Sequence, residues 1–258
     1  MSKPMTIDLN CDLGESFGPW LMGNDQAIMP FISSANIACG FHAGDFSTMR
    51  KTVQLALDNN IAIGAHPALP DLQGFGRRNL AMTPEEVYDM VIYQVGALQG
   101  FLKALGGKLN HVKPHGALYQ MASKDKALAT AIARAIADVG NGDVIFFGLS
   151  GSAMIEAGND IGIPVANEVF ADRTYQADGS LTARSEANAL ITDPKIAIRQ
   201  VLQMVKEQSV TTTTQAIIPL KTDTICIHGD GVTALEFAQT IRDMLIQENI
   251  QIRAMQPQ

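Results

Sequence analysis

Cysteine, charge and long apolar runs are all scarce in this chain. Only Cys11, Cys39 and Cys226 occur in 258 residues, an odd and dispersed set that excludes a disulfide framework. Charged residues make up 17%, below the usual quarter, so much of the chain is predicted to be buried. The net charge of −7, with no basic run and no aromatic–basic interleaving, argues against a nucleic-acid partner. No apolar run reaches the ~18 residues that a membrane span requires, and residues 1–10 carry no charged-then-apolar leader pattern. These absences predict a protein with no membrane contact in a reducing compartment, the cytoplasm. Short catalytic signatures are missing as well. There is no HExxH, no CxxC and no GxxxxGKS or GxxxxGKT phosphate loop. Gly148-Leu149-Ser150-Gly151 is not a GxSxG elbow, which leaves Ser150 a weak nucleophile candidate.

What the chain has is a repeated juxtaposition. Seven short apolar runs each end in small or reactive residues. Ile7–Cys11 runs into Asp12-Leu13-Gly14-Glu15, Ile37–Cys39 into Gly40-Phe41-His42, and Ile61–Ile63 into Gly64-Ala65-His66. His111-Val112 leads to Lys113-Pro114-His115, and Val144–Phe147 leads to Gly148. Val165–Asn167 leads to Glu168 and on to Asp172-Arg173, and Ile225–Ile227 leads to His228-Gly229-Asp230. Buried parallel strands read as apolar runs, and barrel enzymes keep their chemistry at the carboxyl ends of such strands.

Helical patterns lie between the runs. Thr83-Pro84-Glu85-Glu86 offers a capping box with proline at the first helical position, and Gly106-Gly107 stops that helix. Further helices are predicted from about Ser47, Ser123, Asp193-Pro194 and Gly231. Alternating strands and helices imply a parallel sheet. At this length, seven or eight such units favour a closed TIM-like β/α barrel over an open doubly wound sheet, as one domain spanning 1–258. Ile250-Gln251-Ile252 is either an eighth strand or a tail. Residues 67–82, 171–185 and 209–223 break the alternation, and Asp178-Gly179 between Tyr175 and Leu181 is a hairpin signal.

Four of the five histidines, His42, His66, His115 and His228, follow an apolar run, whereas His111 opens one. A barrel would gather them at one rim with Asp12, Glu15, Asp45, Asp172 and Asp230. Carboxylate and imidazole together bind a divalent metal or pair as acid and base, or they form a network that only fixes loops. Asp12, His42 and His66, from three adjacent strand ends, are the candidate metal set. A lysine in an apolar strand context is costly unless paired, so Lys113, with Arg77 or Arg173, suits a small anionic substrate or a phosphate. The cysteines are read as small buried packers.

The stretches DLNCDLGES at 8–16, SSANIACGFHAGD at 33–45, IGAHPALPDLQGFGRR at 63–78, HVKPHGALY at 111–119, EVFADRTY at 168–175 and ICIHGD at 225–230 resemble the LamB/YcsF family. They depart from it mildly, at Ser16 and Phe46. The resemblance implies a seven-stranded β/α barrel related to glycoside hydrolases and polysaccharide deacetylases. It also implies a subunit of an ATP-dependent 5-oxoprolinase, which cleaves 5-oxo-L-proline to L-glutamate together with subunits B and C. On that footing Asp12 or His42 would be the base and His66 or His115 would move the proton. Lys113 and Arg77 would hold anions, and Glu15, Asp45, Arg173, His228 and Asp230 would contact substrate or phosphate. Two rivals stay open: an ATP-independent, metal-dependent amidohydrolase or deacetylase, and a non-catalytic 5-oxoproline-binding subunit.

Overall fold

Strand β1 (Thr6–Leu13) sets the pattern for the molecule. Ile7, Leu9, Cys11 and Leu13 join the hydrophobic core. The alternate residues Asp8, Asn10 and Asp12 instead bond to side chains of other strands. Successive strand residues face opposite ways. The apolar set therefore meets the helices while the polar set fills the inside of the sheet. The computed structural model describes residues 5–227 and 234–256.

After β1 come α1 (Asp25–Ile28) and a single 3₁₀ turn at Met29–Phe31. Then follow β2 (Ser34–Ala38), α2 (Phe46–Asp58), β3 (Ala62–His66), α3 (Pro84–Leu105) and β4 (Leu109–Val112). Next are α4 (Gly116–Ala122), α5 (Lys126–Gly140), β5 (Ile145–Leu149), α6 (Ala153–Ile161), β6 (Val165–Phe170) and α7 (Pro194–Glu207). A small antiparallel pair, β7 (Ser209–Thr211) and β8 (Ile217–Pro219), precedes β9 (Thr224–Ile227), α8 (Ala234–Gln247) and β10 (Gln251–Ile252).

Seven strands form a closed parallel ring in the order β1-β2-β3-β4-β5-β6-β9, with β9 returning to β1. This is the seven-stranded barrel expected. The run at 250–252 does not join the ring: β10 pairs only with Thr6 and Ile7 at the start of β1. The barrel interior is filled, as small barrels require. His111 stacks on Phe147 at 4.1 Å. Phe147, Ile145 and Ala166 form a separate apolar cluster against Met255, plugging the end opposite the strand carboxyl termini. Gly64 is a necessity of this filling, because a Cβ there would overlap the His111 ring.

The helices start where their capping residues dictate. Thr83 and Glu86 make the reciprocal capping box, and Gly106 ends α3 at φ 77°. Asp193 caps α7 ahead of Pro194. The helix predicted from Ser123 starts instead at Lys126, because Asp125 accepts from the N–H groups of Ala127 and Leu128. Helix α5 packs between α3 and α6. Fully buried side chains such as Leu98 and Ile132 each contribute roughly 1.5–3 kcal/mol there.

Residues 67–82 have no regular structure before α3, yet they are tightly bound. Asp71 Oδ1 accepts from Gly74 N–H at 2.9 Å and Arg78 Nε at 2.8 Å, and Oδ2 accepts from Arg78 N–H at 3.2 Å. The bonds from Arg78 hold the Asp71 carboxyl down at about 2. The hairpin signal also holds: Tyr175 and Leu181 form an antiparallel bridge, with Gly179 at φ 82° in the turn.

Candidate active site

The carboxyl ends of the strands surround a cavity of about 350 Å³. Its floor is made by Asp12, Glu15, His66, Lys113 and His115, and Phe75 and Phe170 form walls. Arg77, Lys124 and Arg184 stand at its mouth. The entrance is thus cationic, while the floor mixes carboxylate and imidazole.

Lys113 is the electrostatic centre of the floor. It is 2% exposed. Its Nζ lies 2.8 Å from Asp12 Oδ1, 2.9 Å from Glu168 Oε1, 3.2 Å from Asn10 Oδ1 and 3.0 Å from Cys226 Sγ. Burial pulls its pKa down, but the surrounding acids, Asp12 foremost, more than offset this and hold it above the ordinary lysine range. The ammonium therefore stays charged, with its positive charge directly beside the Asp12 carboxyl group. Asn36 also donates to Asp12 Oδ1, at 2.8 Å. The other Asp12 oxygen lies 3.3 Å from His66 Nε2. Beneath, Asp8 accepts from Ser33, Ser34 and Thr224, and burial raises its pKa against those bonds.

The imidazoles form one cluster. His42 and His115 stack at 3.7 Å with 6° between planes, and His66 stands edge-on to both. His42 Nε2 is 3.2 Å from Glu15 Oε1, and His115 Nδ1 is 3.9 Å from the same oxygen. Burial foremost, then the neighbouring imidazoles, hold His42 and His115 well below the ordinary histidine range, so both are neutral near pH 7. Glu15, His42, His66 and His115 offer donor atoms all within 4.8 Å of one another and could hold a metal ion.

The loop of residues 67–82 completes this cluster through two unusual backbone conformations. Phe75 adopts φ 54°, a region that non-glycine residues rarely occupy. Its ring then abuts His42 and His115 edge-on, and its carbonyl meets His115 Nε2 at 2.8 Å. Gly76, at φ 64°, has no room for a side chain: a Cβ would come within 2.8 Å of both His115 and His42.

Of the residues singled out from sequence, Asp12, Glu15, His66, Arg77, Lys113, His115 and Arg173 line the cavity, with His42 packed directly behind. Four of the expected residues, Asp45, Arg173, His228 and Asp230, act otherwise than expected or fall outside. Asp45 does not line the cavity; its carboxylate caps α2 through Ser47 and Thr48 and accepts from Gly18 N–H at 2.7 Å. Arg173 is 4% exposed, and its guanidinium donates to the backbone carbonyls of Ala189 and Thr182. Burial, then the charge of Arg184, bring it down to about 10. Arg173 therefore braces the segment between Thr182 and Ala189, and both it and the more exposed Arg184 line the cavity. His228 and Asp230 lie outside the described residues. The candidate metal set also shifts: the clustered donors include Glu15 and His115, while Asp12 Oδ1 is engaged by Lys113.

Sequence reasoning missed Asn10, Asn36, His111, Glu168 and Tyr119. His111 Nε2 donates to Asn36 Oδ1 at 2.7 Å inside the barrel. Burial foremost, then Lys113, hold it down at about 3. Tyr119 is fully buried, and burial followed by the charge of Glu168 pushes its pKa up. The signal that finds most of them is period-two polarity within the strands: Asp8, Asn10 and Asp12 in β1, Ser34 and Asn36 in β2, His111 and Lys113 around β4.

The LamB/YcsF family model matches residues 7–258. The chain is 60% identical over 249 residues to the 5-oxoprolinase A subunit of Tolumonas auensis, covering 96% of this chain and 99% of that protein. It is 58% identical over 252 residues to the 5-oxoprolinase A subunit of Bacillus subtilis, covering 98% of each. The crystal structure of the lactam utilization protein from Thermus thermophilus superposes with a TM-score of 0.92 at 44% identity, covering 97% of this chain and all of that one. Matched by the family model over nearly its whole length and sharing its barrel with a 44%-identical solved structure, the chain belongs to the LamB/YcsF family.

Proposed function

We propose that this chain, as a single barrel domain, is a subunit of an ATP-dependent 5-oxoprolinase. The enzyme would hydrolyse 5-oxo-L-proline to L-glutamate as ATP becomes ADP and phosphate, in assembly with subunits B and C. The relatives' names supply the lactam and the subunit role. The observation that carries the reading to this chain is the cavity itself: a cationic mouth above a paired carboxylate and imidazole. Its volume accommodates a small lactam acid.

A lactam carbon is deactivated by amide resonance. Phosphorylation of the lactam oxygen makes that carbon electrophilic. A first water adds to it and the C–N bond breaks, which leaves the side-chain carboxyl of glutamate as an acyl phosphate that a second water hydrolyses to glutamate and phosphate. Arg77 and Arg184 hold the substrate carboxylate or phosphate as planar donors. Asp12, beside the Lys113 ammonium, accepts the proton of the attacking water, and His66 or His115 carries a proton to the departing nitrogen.

The Glu15–His42–His66–His115 group favours a second reading, metal-dependent hydrolysis of an amide without ATP. Glutamate formation from 5-oxoproline separates the two. The first reading requires turnover only with ATP and the complete assembly. Turnover by the lone chain without ATP overturns it.

A further inference from the structure

We propose that His66 Nε2 and His115 Nδ1, flanked by the Asp12 and Glu15 carboxylates, bind one divalent transition-metal ion, and that His42 supports this site from outside rather than ligating.

The inference starts from two backbone carbonyls. His66 Nδ1 lies 2.7 Å from Lys113 O, and His115 Nε2 lies 2.8 Å from Phe75 O. A carbonyl oxygen only accepts, so each of those nitrogens must carry hydrogen. In a neutral imidazole the other nitrogen is then a bare lone pair. Those two lone pairs, His66 Nε2 and His115 Nδ1, face each other at 3.0 Å. They are surrounded by more negative potential: Asp12 Oδ2 is 3.3 Å from His66 Nε2, and Glu15 Oε1 is 3.9 Å from His115 Nδ1. His66 and His115 are 1% and 6% exposed, so bulk water does not relieve the repulsion. A positive species belongs at this point.

The spacing suits a metal ion. Ligand atoms ~2.1 Å from one ion lie ~3.0 Å apart at right angles and ~3.4 Å apart at the tetrahedral angle. The separations of 3.0 and 3.3 Å match. Imidazole nitrogen mixed with carboxylate oxygen selects zinc, cobalt, iron or nickel rather than calcium or magnesium. The carbonyl partners are the outer contacts that ligating histidines characteristically make. The left-handed conformation of Phe75 gains a purpose here, because it aims the carbonyl that fixes the His115 tautomer.

His42 lacks such support. Its Nδ1 is buried with no hydrogen-bond partner among the described residues. Ligation through Nε2 would place a hydrogen on that nitrogen and bury an unsatisfied donor. Donation from Nε2 to Glu15 Oε1, 3.2 Å away, avoids this and orients the carboxylate. This assignment differs from the triad Asp12, His42 and His66 expected from sequence order.

The inference rests on the proposed cavity and replaces the proton-transfer role of His66 or His115 with ligation, but its test reads metal binding by the chain alone. Metal-stripped protein is titrated with Co²⁺, following the visible d–d spectrum and the heat of binding. One equivalent should bind with a spectrum showing nitrogen ligation, and Zn²⁺ should displace it. His66→Ala and His115→Ala should each weaken binding by ~100-fold or more, and His42→Ala by only ~10-fold, as befits an outer contact. The alternative cation is a proton shared by the two rings. A correctly folded wild type that takes up no Co²⁺ or Zn²⁺, with ¹⁵N ring shifts showing His66 doubly protonated, overturns the metal site. If that same protein forms glutamate normally in the ATP-supplied assembly, the 5-oxoprolinase reading stands without the metal. One bound metal with no glutamate formed does the reverse.

Discussion

Replacing Lys113 by methionine isolates the charge that organises the floor of the cavity. The ammonium sits 2.8 Å from Asp12 and 2.9 Å from Glu168. At an effective dielectric of ~20, each attraction is about 6 kcal/mol. Desolvating three buried ions consumes several kcal/mol apiece, so the intact group is worth little net. Removing the cation alone is a different matter, since it strands two acids in a dry barrel. Breaking a buried pair in this way costs ~3–5 kcal/mol, out of the ~5–15 kcal/mol that holds a typical domain folded. Urea unfolding at pH 7 should show that loss. The deficit should shrink at pH 5, because a stranded acid with a like-charged neighbour has a raised folded-state pKa and takes up a proton as pH falls. Adding Glu168→Gln should recover much of the loss by removing one stranded charge. A Lys113→Met protein within about 1 kcal/mol of wild type, with no pH dependence to the difference, refutes this account.

Asp12→Asn should keep the fold and lower turnover of the assembled enzyme by ~100-fold or more, the size of a general-base contribution; near-normal turnover rejects the role. Arg184→Gln should raise KM for 5-oxoproline about tenfold with little change in kcat, a loss of ~1.4 kcal/mol of binding shared by ground and transition states; an unchanged KM removes Arg184 from the anion site. Gly64→Ala forces a methyl into the His111 ring and should lower stability by ~1–3 kcal/mol in thermal or urea unfolding. His111 should also make the protein acid-sensitive. Between pH 6.5 and about 3 the unfolded chain protonates this residue while the folded one does not, so its share of stability falls by ~1.4 kcal/mol per unit as pH drops through that window. Asp8, with its raised folded pKa, pulls the other way as pH falls through that pKa. His111→Asn should flatten the profile, and an unchanged profile counts against the assignment.

The site was legible in part because barrels convert chain order into position. Asp12, His66 and His115 could be placed at one rim from strand ends alone, and Glu15 and His42 with them. Pairing among them was not legible. Nothing local tells that Lys113 reaches Asp12 across the ring or that Phe75 turns left-handed to meet His115. The strand interiors were misjudged for a related reason. Ile7–Cys11 looks like an apolar run, yet Asp8 and Asn10 lie inside it, satisfied by Ser34, Glu168 and Thr224 from distant strands. Arg173 and Arg184 show the same limit: both sit in one irregular segment, and only tertiary packing decides which guanidinium is spent on carbonyls.

The closure of β9 onto β1 joins residues more than two hundred positions apart, as in the pairing of Asp8 with Thr224. Contacts of that separation form late, since the intervening chain must first be ordered. Until the seam zips, an otherwise assembled half-cylinder presents two unsatisfied parallel edges, the kind of template on which chains cross-associate. Refolding yield should therefore decline with rising protein concentration even where the finished molecule does not aggregate.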